Sequence, residues 1–520
     1  MAIPGAEYNG FALTACLNCK RQKKKCDKNL PSCSRCVSGL RTCQYSQDQE
    51  KPPSPQYDAV KDCSRPRYVV ASSQPSVYIS PASSPAGPLP MDTRSFLLPK
   101  EVHVHDIHAL VTNYVRELLL SEGQTTDHIA AEYFTLTCHW LPFISRMKMH
   151  ANLSPTIVEQ RADVMLLLLA MYLSIQVPGP AVEGTGMRTP LYLRTKELLA
   201  LVQSGGILSI EVAQATILIA FYEYAHDLSN ASYQSISSCA VMACQLGWYD
   251  QAANAQRRPL EFEEIKRTWW SIAAFDRLIQ VRHINSGFPF AIPNSRLEFE
   301  LPAEDERWDL FPENPQSPYL ISGTAVLQAR ATQAISHTIE FVKNPPSDPD
   351  VKEAQLRELS EALISQAIST VERSFAIFGA HCGAIGMLNW QVNALNVLHT
   401  PDLPAELTPL AQYTPSNSRA IFALKKMCNN TTSTVREIFI AIKQLDLRNL
   451  IPITLDSIVR STLIHIELAG SEFGSVDWER DFIDLKGCLA HFGKRFLLAR
   501  NFLDDVNNAY NGRLQREQSG

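Results

Sequence analysis

A small metal-stapled module joined by a disordered linker to a large all-α domain is the fold class this sequence predicts. Three observations predict it. Six cysteines crowd the N-terminus, ten of the chain's thirty-two prolines fall between Lys51 and Lys100, and the residues after Val102 repeat their apolar positions three and four apart. With 45% hydrophobic and 19% charged residues over 520 positions, the chain can bury a large second core.

The cysteines Cys16, Cys19, Cys26, Cys33, Cys36 and Cys43 read C-x2-C-x6-C-x6-C-x2-C-x6-C. Two C-x2-C pairs, each followed six residues later by another cysteine, suit thiolates holding metal better than disulfides. Two tetrahedral zinc ions need eight ligand positions. Six cysteines supply them if two thiolates bridge, and pseudo-symmetry makes Cys16 and Cys33 the natural bridges. Met1 to Ala15 has neither the basic start nor the apolar core of a secretory signal, which disfavours a disulfide knot.

Charge points to nucleic acid. Between Cys16 and Tyr45 stand Lys20, Arg21, Lys23, Lys24, Lys25, Lys28, Arg35 and Arg41, against Asp27 alone. The module is about +7 on a chain of net −5, so the remainder is about −12. Such a basic module gains binding free energy by displacing counterions from phosphates.

The runs Cys16-Leu-Asn-Cys19-Lys20-Arg21-Gln22-Lys23-Lys24-Lys25-Cys26-Asp27 and Pro31-Ser32-Cys33-Ser34-Arg35-Cys36 resemble the fungal binuclear zinc cluster transcription factors. The resemblance implies two Zn(II) ions, and a first helix whose C-terminal end meets the major groove over a CGG-like triplet. By position it implies Lys23 on the guanine edges, where an amine suits the O6 and N7 acceptors, and Lys20, Lys25 and Arg41 on phosphates. Pro31 would fix the turn between the halves. Gln22 stands where the family usually has a basic residue.

Residues 1–15 are expected to be a disordered N-terminus, 16–45 the zinc module and 46–100 a Pro/Ser-rich linker. The linker's segments PPSPQ and SPASSPAGPLP cannot sustain a helix. No apolar heptad follows Cys43, which argues against a coiled coil there and leaves monomeric binding, or a homodimer through the helical domain.

Residues 101–505 read as an all-α regulatory domain, and 506–520 as a polar tail. Helices are expected over Ile107 to Leu120, Thr189 to Gln203, Ser209 to Ala225 and Ser232 to Gly247, with Ser209 as an N-cap and Gly247 ending its helix. The fourteen-residue apolar run Val164 to Val177 reads as a core helix, too short for a membrane span. Two segments resemble the middle homology region of the same fungal regulators: Ala131 to Ser145, and Glu264 to Arg277 with Gly287, Pro289, Ile292 and Leu301-Pro302. Phe262, Ile265, Trp269, Ile272 and Ile279 repeat at helical spacing, so the Trp269-Trp270 pair reads as core. Asp276 falls on that stripe and needs an arginine or a helix end.

Other clusters read as structural. His103, His105, Asp106 and His108 fit a solvated helix start, and His381-Cys382 are adjacent residues that point apart on a helix. Cys63, Cys138, Cys239, Cys244, Cys382, Cys428 and Cys488 read as buried, reduced small hydrophobes. Glu472 to Leu485 interleaves Phe473, Trp478 and Phe482 with five acids, the pattern of an activation segment or of an amphipathic surface helix, and the latter is favoured. No P-loop, GxSxG elbow or dinucleotide fingerprint occurs, so no enzyme is expected.

The expected function is a nuclear, sequence-specific transcriptional regulator, a pathway-specific activator of a fungal metabolic or secondary-metabolite gene cluster. Its expected partners are double-stranded DNA and coactivators, and no membrane. A repressor with the same module is the alternative, and a zinc-module-bearing enzyme a remoter one. The helical domain either binds a small-molecule inducer or masks an activation surface.

Overall fold

The computed structural model describes residues 17–22, 24–28, 32–39, 43, 104–138, 140–154, 161–179, 186–250, 254, 256–303, 324–375, 391–402, 414–444, 446–471 and 473–519. The chain divides into two units, Met1–Thr93 and Arg94–Gly520. The linker, Cys63, Pro31, His103 and His381-Cys382 lie outside the described residues.

In the first unit two five-residue helices, Leu17–Arg21 and Ser34–Ser38, frame the cysteines. The second unit is built of helices, with no strand among the described residues. Its core is laid down by Ala162–Ile175 against Ile210–Ala225, which packs in turn on Ser229–Gln245. Every residue of Ala162–Ile175 and of Ile210–Ala225 is buried except the half-buried Ile210. The apolar run is therefore a core helix, as expected. No helix among the described residues is long and apolar enough to cross a membrane.

Local chemistry fixes where the helices start. Thr189 accepts from the Tyr192 amide at 3.1 Å, Ser209 from Val212 at 3.2 Å and Ser145 from Lys148 at 3.2 Å, each satisfying one orphan N–H of a first turn. Gly247, at φ +65°, ends Ser229–Gln245 in a left-handed turn in which the Trp248 amide donates back to Ala243 O at 3.2 Å. All four expected helices are present, as Val104–Ser121, Pro190–Ser204, Ile210–Ala225 and Ser229–Gln245. The last helix, Leu497–Ser519, runs on through residues 506–519, the stretch expected as a polar tail, and Val506 is buried in the core.

The Pro259–Arg282 helix departs from its sequence pattern. The apolar stripe predicted one buried face, yet Glu263 through Val281 are buried on every side. The second face is closed by the segment after the helix. Trp270 Nε1 donates to Glu300 O at 3.0 Å, Arg267 Nη2 to Ala303 O at 3.1 Å and Gln280 Nε2 to Pro289 O at 2.7 Å. The helix Thr324–Lys343 covers it further, with Arg277 Nε on Ser336 Oγ at 2.7 Å. Asp276 has its expected partner: Arg277 pairs with it, and the Ile292 amide donates to it at 3.1 Å. Burial pushes the Asp276 carboxyl above its usual value, while Arg277 and these hydrogen bonds pull it back.

The dispersed cysteines split. Cys239, Cys428 and Cys488 are buried, Cys138 is half-buried, and Cys244 is exposed on the outer face of Ser229–Gln245, contrary to expectation. The apolar spacing of that helix places Cys239 and Ala243 inward, and Cys244 follows one residue later on the outer side.

One buried contact joins distant parts of the second unit. Arg282 Nε and Nη2 donate to the two oxygens of Asp456 at 3.1 Å each, and the Tyr224 hydroxyl donates to the same carboxylate. Burial alone would raise the Asp456 carboxyl, but Arg282, Tyr224 and Arg460 hold it below the ordinary value. Its contribution to stability is therefore present above the unfolded carboxyl value of about 3.9 and is lost as pH falls through the lower, folded one. Asp456→Ala should leave buried guanidinium charge without its counterion and cost about 3–5 kcal/mol by chemical denaturation at neutral pH. A loss well under 1 kcal/mol would show the pair to be dispensable.

Candidate metal centre and nucleic-acid interface

The two short helices position the sulfurs. Cys19 lies inside Leu17–Arg21. Cys33, with extended backbone, caps Ser34–Ser38, and Cys36 sits on its inner face, its amide donating to Cys33 O at 3.0 Å. Cys19, Cys33 and Cys36 are buried, and Cys26 and Cys43 are half-buried against them.

Two sets of sulfurs result: Cys19, Cys26 and Cys33, and Cys33, Cys36 and Cys43, each with its Sγ atoms within 4.8 Å of one another. Cys33 is common to both. Cys19 Sγ and Cys33 Sγ are 3.8 Å apart, far beyond a disulfide bond. That separation equals the edge of a tetrahedron with zinc–sulfur bonds of about 2.3 Å, roughly 3.8 Å. The donor set therefore fits two zinc ions sharing a thiolate. Cys16 lies outside the described residues.

Polar contacts surround the sulfurs. The Cys33 amide donates to Cys43 Sγ at 3.2 Å, and Asn18 Nδ2 donates to Cys36 Sγ at 3.5 Å. The module's acid, Asp27, accepts the Ser34 amide on both oxygens, at 3.2 and 3.0 Å, tying the first half to the start of the second helix. A carboxylate at that N-terminus also complements the helix dipole. Sequence reasoning counted Asp27 only as a charge and gave Asn18 no role. Spacing could have flagged Asp27, since it precedes Ser34 by a loop short enough to fold back.

Lys20, Arg21, Lys24, Lys25, Lys28 and Arg35 are all exposed. Lys20 and Arg21 form the last turn of the first helix. Of the expected DNA contacts, Lys20 and Lys25 are thus on the surface, while Lys23 and Arg41 lie outside the described residues.

The helical unit's candidates resolve as packing. Trp269 and Trp270 are fully buried. Of the histidine group, His108 Nδ1 accepts the Ala162 amide at 3.0 Å, and Asp106 is exposed. In the acidic, aromatic segment, the helix Trp478–Phe492 turns Phe482 inward onto Tyr510, with ring centres 4.7 Å apart, and Arg513 lies over Trp478. Asp481 and Asp484 pair with Arg436 at 2.7 and 2.6 Å. This is the amphipathic helix that was favoured.

A zinc-holding thiolate module with a basic surface defines a DNA-binding class, and the comparisons with known proteins agree. The fungal Zn(2)-Cys(6) binuclear cluster domain matches residues 14–52, and the fungal specific transcription factor domain matches residues 130–363. The resemblance is expected over Val102 to about Pro312; the second match begins later, within the helix Thr126–Leu136, and extends further, into Pro349–Phe375. The chain is 31% identical over 127 residues to Transcription factor BOA15 of Botryotinia fuckeliana, a match that spans 24% of this chain and 69% of that protein. It is 41% identical over 56 residues to Oleate activated transcription factor 3 of Kluyveromyces lactis, covering 10% of this chain and 8% of that protein. The chain belongs to the fungal zinc cluster transcription factors.

A module of this size has too little apolar surface to fold without its metal. Stripping zinc with a strong chelator should abolish DNA binding while leaving most of the far-ultraviolet helical signal, which comes from the second unit. Loss of most of the helical signal on chelation would contradict this division of labour.

Proposed function

We propose that this protein is a nuclear, pathway-specific activator that reads CGG-like triplets upstream of a fungal metabolic or secondary-metabolite gene cluster. The observation that carries the reading is the display of Lys20, Arg21, Lys24, Lys25 and Lys28 around a buried sulfur cluster, on a chain that is otherwise acidic. In this reading Cys16, Cys19, Cys26, Cys33, Cys36 and Cys43 hold two zinc ions, with Cys16 and Cys33 bridging. Lys23 meets the guanine edges, and Lys20, Lys25 and Arg41 neutralise phosphates. Residues 46–100 tether the module to a non-enzymatic regulatory domain that begins at 101 and takes in the last helix, Leu497–Ser519; it receives an inducer or a second copy and engages coactivators.

Genome-wide occupancy of the tagged protein in its host, paired with transcript levels after deletion of its gene, tests this. Enrichment of CGG-like triplets upstream of genes that fall silent supports it. Genes that rise instead would make the protein a repressor, and occupancy without the triplet would overturn the recognition model.

Purified protein tests the residue roles. Lys25→Ala should weaken binding to all sequences and reduce the slope of log affinity against log salt by about one unit. Lys23→Ala should relax triplet preference by roughly 1–3 kcal/mol. Unchanged binding in both variants would rule out this docking mode.

A further inference from the structure

Gln22, the residue that replaces the family's usual basic side chain, does not sit idle. Its Nε2 donates to Asn18 Oδ1 at 3.2 Å, one helical turn back. Asn18 in turn donates through Nδ2 to Cys36 Sγ at 3.5 Å. Asn18 belongs to the first half of the module and Cys36 to the second, eighteen residues away and 1% exposed.

We propose that Asn18 and Gln22 are positioning residues, a two-amide relay that stabilises the Cys36 thiolate and so slows loss of zinc from the second half of the cluster. The inference rests on the assignment of the six cysteines as zinc ligands. Six thiolates around two Zn(II) carry a net charge near −2, and an N–H donor aimed at one sulfur offsets part of that charge where water is excluded. An asparagine amide can present either its oxygen or its nitrogen to the sulfur. Only the nitrogen stabilises a thiolate, and a donor at Gln22 holding Oδ1 selects that orientation. A lysine or arginine at position 22 could also donate to Oδ1, but DNA phosphates would compete for it. The exposed, neutral glutamine is drawn to phosphate less strongly than a cation would be, which favours the relay when DNA is bound. Position 22 thereby exchanges a phosphate contact for control of the metal.

Full-length protein provides the test. Zinc content of the wild type comes first, since fewer than two ions per chain would overturn the ligand assignment and the relay with it. Zinc release to a chromophoric chelator is then timed, and alkylation by iodoacetamide is mapped to individual cysteines by mass spectrometry. Asn18→Asp keeps the shape but replaces the donor by a carboxylate, and should speed release by about 10–100-fold, with Cys36 the first thiol alkylated. Gln22→Ala and the isosteric Gln22→Glu should speed release less, at the same thiol, and leave the salt slope of DNA binding at the wild-type value for Gln22→Ala. Release at the wild-type rate in Asn18→Asp, or at the wild-type rate in both Gln22 variants, would overturn the relay. So would faster release with all six cysteines alkylated alike, because that marks general collapse of the module.

Discussion

The helical domain depends on one constraint: from Glu263 to Val281 the Pro259–Arg282 helix is buried around its whole circumference while carrying charge on several faces. Glu263, Glu264, Lys266, Arg267, Asp276 and Arg277 are all removed from solvent. Each must find a partner, because an uncompensated buried charge costs several kcal/mol. The partners come from every side. Glu264 accepts from the Ser145 amide and from Lys148, Arg267 is held by Glu263 at 2.8 Å, and Arg277 reaches Ile292 O, Asn294 and Ser336. The surrounding segments are thus placed by what this helix needs. Such a polar ring also fixes register, since sliding any neighbour by one turn would break several charge-assisted contacts at once.

The same requirement carries beyond the stretch matched by the family model. Arg282 at the helix end takes Asp456, far along the chain, and Arg495 is caged by the carbonyls of Ser174, Leu447, Arg448 and Leu450. Burial lowers the Arg495 guanidinium to about 9, yet the four acceptors keep it an effective clamp between the end of the core helix and the 447–450 turn. The C-terminal helices are therefore bound into the same core rather than appended to it.

The apolar side of this fold was legible and its polar side was not. Periodicity located the core helices, and Ser209 and Gly247 marked ends that the structure keeps. The zinc module was legible to the spacing of its sulfurs. What the pattern concealed was burial of charge. Lys266 and Arg267 do not belong to the apolar stripe, yet they are covered by residues 289–303 and by Thr324–Lys343. No local signal carries that information, because the acceptors at Pro289, Glu300 and Ala303 are backbone carbonyls, which every sequence possesses. Cys244 shows the converse error, where residue type suggested burial and helical phase decided against it. In the module, the Asn18 contact escaped notice because it depends on how the two halves fold together, eighteen residues apart.

The cysteines among the described residues fall into chemically distinct groups, and that separation bears on how the module obtains its metal. Burial pushes the Cys428 and Cys488 thiols up to about 12 and raises Cys239 further, so these remain protonated and poor ligands at neutral pH. In the module the sulfurs lie within reach of one another, beside lysines and arginines and with amide donors aimed at them. The density of sulfurs there supplies the chelate. The helical core thus withholds from Cys239, Cys428 and Cys488 the charge state that a metal requires, and leaves the gathered sulfurs of the module as the chelating set.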